Sequence, residues 1–275
     1  MPPPPSNGFP AALVGQALAA SGARPGGGLR VLGLSGLQGS GKSTLATQVV
    51  EAAGAAGLAA ATLSLDDVYL EKARRRALAR EVHPLLATRG PPGTHDLALA
   101  LETLDALRAG RRPALPRFDK LGDDRCPAAR WPVPSRPLDL LVFEGWCTGV
   151  PAQAPAGLVE PLNELEREED AGGHWRRFCN DALADAYPAL WSRLDVLWFL
   201  QPPGFEVVHD WRWQQELALQ AAAPGRTGMD RAGLHRFIQH FERVSRQALR
   251  HLPGLAQLTL RLDGQRRFIA MDDSR

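Results

Sequence analysis

Lysine is nearly absent from this chain: although Lys+Arg total 32 among 275 residues, the only lysines are Lys42, Lys72 and Lys120. With alanine so abundant, the arginine-heavy composition reflects a general bias, so a single arginine carries little information and a lysine carries more. Cysteine is equally scarce. Cys126, Cys147 and Cys179 share no C-x-x-C spacing, which excludes a disulfide framework or a zinc site and fits a reducing compartment. Net charge is also small, at +2, which excludes a general attraction for nucleic acid or anionic lipid and makes any anion binding local. No run of about 18 uncharged apolar residues occurs, so no membrane span is expected. The opening MPPPPSNGFPAALVG has no basic segment ahead of its short apolar stretch, so a cleaved signal peptide is not expected and the reading is cytoplasmic. Gly 27 and Pro 23 stay below the level of low-complexity chains.

What is present is organised as strand and helix in alternation. Residues 1–28 read as a flexible Pro/Gly-rich extension holding one short helix at 11–20, with the folded unit beginning near Leu29. Apolar strands are predicted at 29–35, 58–65, 138–143 and 194–200, with a fifth at 267–271, and helices at 42–56 and 97–109. Continuous apolar strands separated by helices predict an α/β fold, a parallel sheet covered on both faces, in one domain over 29–275. About seventy residues separate the second and third strands, too many for a plain crossover. This insertion, 67–137, is where acceptor specificity is expected.

Between the first strand and the first helix stands Gly36-Leu37-Gln38-Gly39-Ser40-Gly41-Lys42-Ser43, a full G-x-x-x-x-G-K-[ST] match in the required context. Glycines let the backbone turn its N–H groups toward phosphates, and the helix N-terminus adds partial positive charge. With Thr44, these residues form the expected nucleotide-binding set, Lys42 reaching the β/γ-phosphates and the Ser43 hydroxyl ligating Mg²⁺. Asn7, Asn163 and Asn180 are not followed by lysine, which excludes the N-K-x-D segment of a GTPase, and no L-S-G-G-Q segment of a transporter ATPase occurs. These absences favour a small-molecule kinase.

Ligands of an open α/β sheet bind beyond the carboxyl ends of its strands, where two acids lie: Asp66 after the second strand and Glu144 after the third. Phosphoryl transfer to a hydroxyl needs a carboxylate to orient the acceptor and take its proton, and oxygen ligands for Mg²⁺. Asp66 takes the first role and Glu144 the second. Asp67 is either functional or a capping residue.

The segments LSLDDVYL (63–70), HPLLATRGPPGTHD (83–96), LPRFDK (115–120), DDRCPAARWP (123–132), VFEGWCTG (142–149) and DWRWQQE (210–216) together resemble the D-glycerate 3-kinase family. That family lies within the uridine kinase and phosphoribulokinase group of P-loop kinases. The resemblance implies a P-loop fold with a helical substrate insertion, a lid at about 202–230, and ATP- and Mg²⁺-dependent phosphorylation of D-glycerate to 3-phosphoglycerate. A small carboxylate needs a cation, so Arg89 and Arg117 are the first choices, with His95, Lys120 and Arg125 as further candidates inside matching segments. Arg117, Lys120 and Arg125 could equally be solvated surface charges. Asp96 is expected to cap the helix at 97, and Trp146 either walls the pocket or fills core. Arg212 matches the lid arginine that folds over the phosphates, whereas Asp210 and Gln220 stand where the family carries further arginines. Two other readings stay open: a kinase of another small hydroxylated metabolite, and an ATP-binding regulatory protein without transfer activity.

Overall fold

The computed structural model describes residues 8–222 and 228–273. Its strands are β1 (Arg30–Gly36), β2 (Ala60–Ser64), β3 (Phe118–Asp119), β4 (Asp124–Arg125), β5 (Leu140–Gly145), β6 (Val196–Gln201), β7 (Leu258–Leu262) and β8 (Phe268–Asp273). The helices are α1 (Ala11–Ser21), α2 (Lys42–Ala55), α3 (Lys72–Glu81), α4 (Leu97–Arg108), α5 (Glu164–Glu169), α6 (His174–Asp185), α7 (Tyr187–Trp191), α8 (Val207–Ala222) and α9 (Arg231–Leu255). The main sheet runs β2-β5-β1-β6-β7-β8, while β3 and β4 form a separate small hairpin. Every pairing from β2 to β7 is parallel, and β8 closes the edge antiparallel to β7.

The apolar strands are continuous because the sheet is buried on both sides. Val31, Leu141, Phe143 and Phe199 point into the layer that holds α4, α7 and most of α9. Their neighbours Leu32, Leu34, Leu140, Val142, Trp198 and Leu200 point into the opposite layer, against α1 and α2. This is the period-two alternation of a strand with an apolar surface to meet on each face. β1 sits inside the sheet, with β5 on one side and β6 on the other, so the chain leaves its carboxyl end toward β2 and later returns on the other flank. The crevice opened by that reversal is the usual ligand site of such a sheet, and the glycine loop empties into it.

Two sequence expectations change. The strand expected at 267–271 is the antiparallel sixth strand of the sheet, and the fifth parallel strand is β7, which its alternating Arg261 had hidden. The folded unit starts before Leu29: Leu13, Val14 and Ala17 of α1 are buried against the α2 layer, and the Gly26 N–H donates to Asp139 Oδ1 at 2.8 Å. The extension is therefore packed from α1 onward, because its apolar stripe has a groove to fill; residues 1–7 lie outside the described residues. The region expected as a lid contains α8, while 223–227 lie outside the described residues. Among the described residues no helix is long and apolar enough to cross a membrane.

Candidate active site

The glycine loop joins β1 to α2, and two of its glycines are required by their backbone. Gly41 precedes the first helical residue at φ +93°, and Gly39 has φ +81° with its α-carbon so near α8 that a β-carbon would lie 2.7 Å from Trp211 Cβ. Side chains rarely adopt such angles, so the loop needs glycine at both positions. The turn buries Lys42, whose Nζ donates to the Leu37 carbonyl at 3.2 Å. Burial lowers the Lys42 pKa, opposed by the charges of Glu144 and Asp66. Ser40 Oγ is buried without a partner among the described residues, a hydroxyl available to a phosphate oxygen.

Ser43, next in α2, donates from Oγ to Glu144 Oε1 at 2.8 Å. The contact follows from sheet register: β5 pairs with β1 and β2 together, which sets Glu144 opposite Leu34 on one side and Ser64 on the other. Asp66 lies in the one-turn 3-10 helix Leu65–Val68 that follows β2. Ser64 and Asp67 cap this turn reciprocally, Ser64 Oγ accepting from Asp66 N–H and Asp67 Oδ2 accepting from Ser64 N–H, both at 3.2 Å. Asp67 is thus a capping residue, and its neighbour is left facing the crevice.

Both oxygens of Asp66 are engaged. Oδ1 accepts from the Tyr69 hydroxyl at 2.7 Å, and Oδ2 accepts from Lys120 Nζ at 2.6 Å. Burial would raise the Asp66 pKa, but the Lys120 charge and hydrogen bond, with the Tyr69 hydrogen bond, overcome it and hold the carboxyl at about 2. The Asp66 charge in turn raises the Lys120 pKa.

These groups line one cleft enclosing about 730 Å³, open solvent at its mouth included. Its wall also contains Gln38, Gly39, Arg89, Trp146, Arg212, Gln215, Phe237 and Phe241. Four cations (Lys42, Arg89, Lys120, Arg212) against two carboxylates make the local excess of positive charge that the near-neutral composition demanded for an anionic ligand. Arg89 Nη1 donates to Asp123 Oδ1 at 2.6 Å, and its guanidinium lies over the Phe118 ring, 5.7 Å from the centroid. Arg212 reaches the cleft from α8, where its Nη1 donates to Gln215 Oε1 at 2.6 Å and burial lowers its pKa. Trp146 walls the cleft, edge-on to Phe241.

A second cleft opens on the other side of the loop, lined by Gly39, Ser40, Gly41 and Thr44 together with Phe9, Arg266 and Phe268. Gly39 and Gln215 border both clefts, so the phosphate loop and α8 form the partition. Gly36, at the end of β1, and the fully buried Leu37 shape the loop from beneath.

Three expected acceptor contacts do not line the cleft. His95 is buried, its Nδ1 2.5 Å from the Tyr187 hydroxyl. Arg117 bonds Asp67 at 3.4 Å and the Pro116 carbonyl at 2.7 Å, outside the cleft. Arg125 bonds Asp96 Oδ2 at 2.8 Å and the Tyr69 carbonyl at 3.0 Å, while Asp96 caps α4 by accepting from Leu99 N–H. Each is tied to an acid or ring of its own neighbourhood, a pairing that residue type alone does not reveal. Sequence reasoning in turn missed Tyr69, Gln215, Phe237 and Phe241. Tyr69 carried a usable signal, since a residue three positions after Asp66 returns to the same side of a 3-10 turn.

No family model matches the chain. It is 32% identical over 226 residues to the chloroplastic D-glycerate 3-kinase of Arabidopsis thaliana, covering 77% of this chain and 46% of that protein, so the chain spans about half the length of this relative. It is 31% identical to the uncharacterized kinase mug58 of Schizosaccharomyces pombe, covering 77% of this chain and 78% of that protein. In structure it resembles D-glycerate 3-kinase from Cryptococcus neoformans, with a TM-score of 0.74 at 26% identity, covering 96% of this chain and 97% of that one. A phosphate loop, a strand-end carboxylate on its hydroxyl and a second carboxylate across the same cleft agree with these likenesses: the chain belongs to the family of P-loop kinases that includes the D-glycerate 3-kinases and the Schizosaccharomyces pombe kinase.

Proposed function

We propose that the chain transfers the γ-phosphate of ATP to the 3-hydroxyl of D-glycerate, giving 3-phosphoglycerate and ADP. One observation carries the reading. Asp66 stands in the same cleft as Lys42, with Lys120 bonded to it and a further insertion cation, Arg89, lining the same cleft. A hydroxyl donor bearing one carboxylate needs this set: a base for the hydroxyl and a guanidinium for the acid group. Asp66 accepts the hydroxyl proton as the oxygen attacks, and Arg89 holds the carboxylate. Trp146 and Phe241 supply an apolar wall for the short carbon chain. Lys42 and Arg212 oppose the charge that builds on the transferring phosphoryl group, where fixed cations in a water-poor site act most strongly.

The donor set at Ser43 and Glu144 fits Mg²⁺, a hard cation usually held by one or two protein oxygens with the rest from phosphates and water. When bound, such an ion neutralises charge between the β- and γ-phosphate oxygens. The test is a coupled ADP-release assay over D-glycerate, L-glycerate, uridine, pantothenate and ribulose 5-phosphate, with and without Mg²⁺ and with Asp66→Asn as control. D-Glycerate is expected to give the highest kcat/KM, and turnover no higher than that of Asp66→Asn overturns the reading.

A further inference from the structure

The R-G-x-x-G-T-H-D segment, 89–96, is one of the chain's most distinctive stretches, yet its histidine does not line the cleft. Its surroundings point elsewhere. Leu70 N–H donates to the Thr94 carbonyl at 2.9 Å, Asp96 N–H donates to the Val68 carbonyl at 2.7 Å, and Tyr69 and His95 form an antiparallel bridge. The segment is thus zipped along the stretch that follows Asp66. The His95 ring stacks on the Tyr69 ring, centroids 4.8 Å apart at 28°. Phe118 meets the Tyr69 ring edge-on at 5.2 Å, and Arg125 Nη2 donates to the Tyr69 carbonyl at 3.0 Å.

We propose that Tyr69 is the positioning residue of Asp66, and that His95 and Arg125 act on the reaction through Tyr69 rather than by touching the acceptor. The proposal rests on the reading of Asp66 as the base and adds how that base is aimed. The two partners of Asp66 differ in kind. Tyr69 is 4% exposed and held against the rings of His95 and Phe118, whereas the Lys120 side chain is 58% exposed, in the turn of the short β3–β4 hairpin. A hydrogen bond from a clamped ring fixes the carboxylate plane on Oδ1. The ammonium of a long exposed side chain can be exchanged for the incoming hydroxyl, so Oδ2 becomes the oxygen that takes the proton.

The chemistry of the clamp agrees. Burial, followed by the charge of Asp66, pushes the Tyr69 hydroxyl well above the ordinary range, so it stays protonated and donates. Burial holds His95 at about 3, so the ring stacked on Tyr69 is neutral and brings no competing cation to Asp66. The Tyr187 hydroxyl accepts from Gly93 N–H at 3.1 Å and lies 2.5 Å from His95 Nδ1. This contact holds the imidazole in the plane of the stack.

The experiment combines steady-state kinetics with ¹³C-carboxylate NMR of aspartate-labelled protein, the Asp66 resonance being assigned by its loss in Asp66→Asn. Tyr69→Phe keeps the stack and removes only the hydroxyl. It is expected to lower kcat about tenfold, with acceptor KM changed less than about threefold, and to move the Asp66 titration upward. His95→Gln, checked for folding by its Tm, is expected to lower kcat in the same way with acceptor KM held. Wild-type kcat and an unmoved Asp66 titration in Tyr69→Phe overturn the proposal, as does a His95→Gln variant that raises acceptor KM at constant kcat. An active Asp66→Asn would remove the base assignment instead, while the titration would still report whether Tyr69 holds the carboxylate.

Discussion

The two ends of the cleft are built in different ways. The phosphate end is mainly a single run of chain, Gly36 to Ser43, completed by Glu144, which sheet register delivers, and by Arg212 from α8. The acceptor end draws Asp66 and Tyr69 from the turn after β2, Arg89 from a loop, Lys120 from the turn of the β3–β4 hairpin, and Trp146 from the end of β5. At the first end, local backbone geometry makes the site. At the second, long-range packing does, and its cations are already paired with acids: Arg89 with Asp123 and Lys120 with Asp66. The contrast teaches that a phosphate grip can be carried by a motif, whereas the grip on a particular acceptor depends on which ion pairs the fold closes and which it leaves to be exchanged.

The largest expected effect strikes the point where the ends meet. Asp66→Asn should lower kcat by about a thousandfold, read in the coupled ADP assay, because the base is lost while both clefts keep their shape. A loss under tenfold would mean that the acceptor end carries no base at this position. Next, Arg89→Ala should raise the acceptor KM roughly ten- to a hundredfold and leave the KM for ATP near its original value. An equal rise in both would dissolve the division of the cleft into two ends.

A subtler change is expected from Lys120→Met. The folded pKa of Asp66 lies below that of a free carboxyl, at about 2, chiefly because Lys120 offsets the burial of the acid. Without that charge burial dominates and the pKa rises. Activity that needs ionised Asp66 is then lost at a higher pH on the acid side, and the acidic limb of kcat/KM moves upward. In profiles from pH 4 to 8 the wild-type protein should show no Asp66 limb, whereas Lys120→Met should lose kcat/KM toward pH 4, and identical profiles would count against the pairing. Smallest of all is Arg117→Ala, expected to change kcat and acceptor KM by less than about twofold, since that guanidinium serves Asp67 and backbone carbonyls outside the cleft. A large KM effect would return Arg117 to the acceptor end.

Legibility in the sequence followed the same divide. The loop, the helix it opens, four strands and the placement of Ser43 and Glu144 at the strand-end crevice were readable because each depends on residues near in sequence or on the rule that ligands sit at strand ends. β7 was not readable, because Arg261 interrupts its apolar run and its membership is decided by pairing with β6 and β8. α1 reads as a short helix in a Pro/Gly-rich extension. Only the layer beneath α2 shows that Leu13, Val14 and Ala17 have somewhere to be buried. Arg89, Arg117 and Arg125 are alike as residues, and nothing near them in sequence says which one faces the cleft.

The sequence by itself determined the phosphate-binding loop, since backbone torsions at glycine and the positions of Lys42 and Ser43 follow from adjacent residues. It also determined that anion binding had to be local, since the charges nearly cancel over the whole chain. Tertiary structure alone decided which cations remain in the cleft, which acid caps a turn and which is left to act, and how Asp66 is held. Those outcomes depend on hydrogen bonds and ion pairs between residues dozens of positions apart, such as Lys120 with Asp66 and Arg125 with Asp96 and Tyr69. An ion pair forms only where the fold brings its partners within a few ångströms, and no spacing along the chain records that distance.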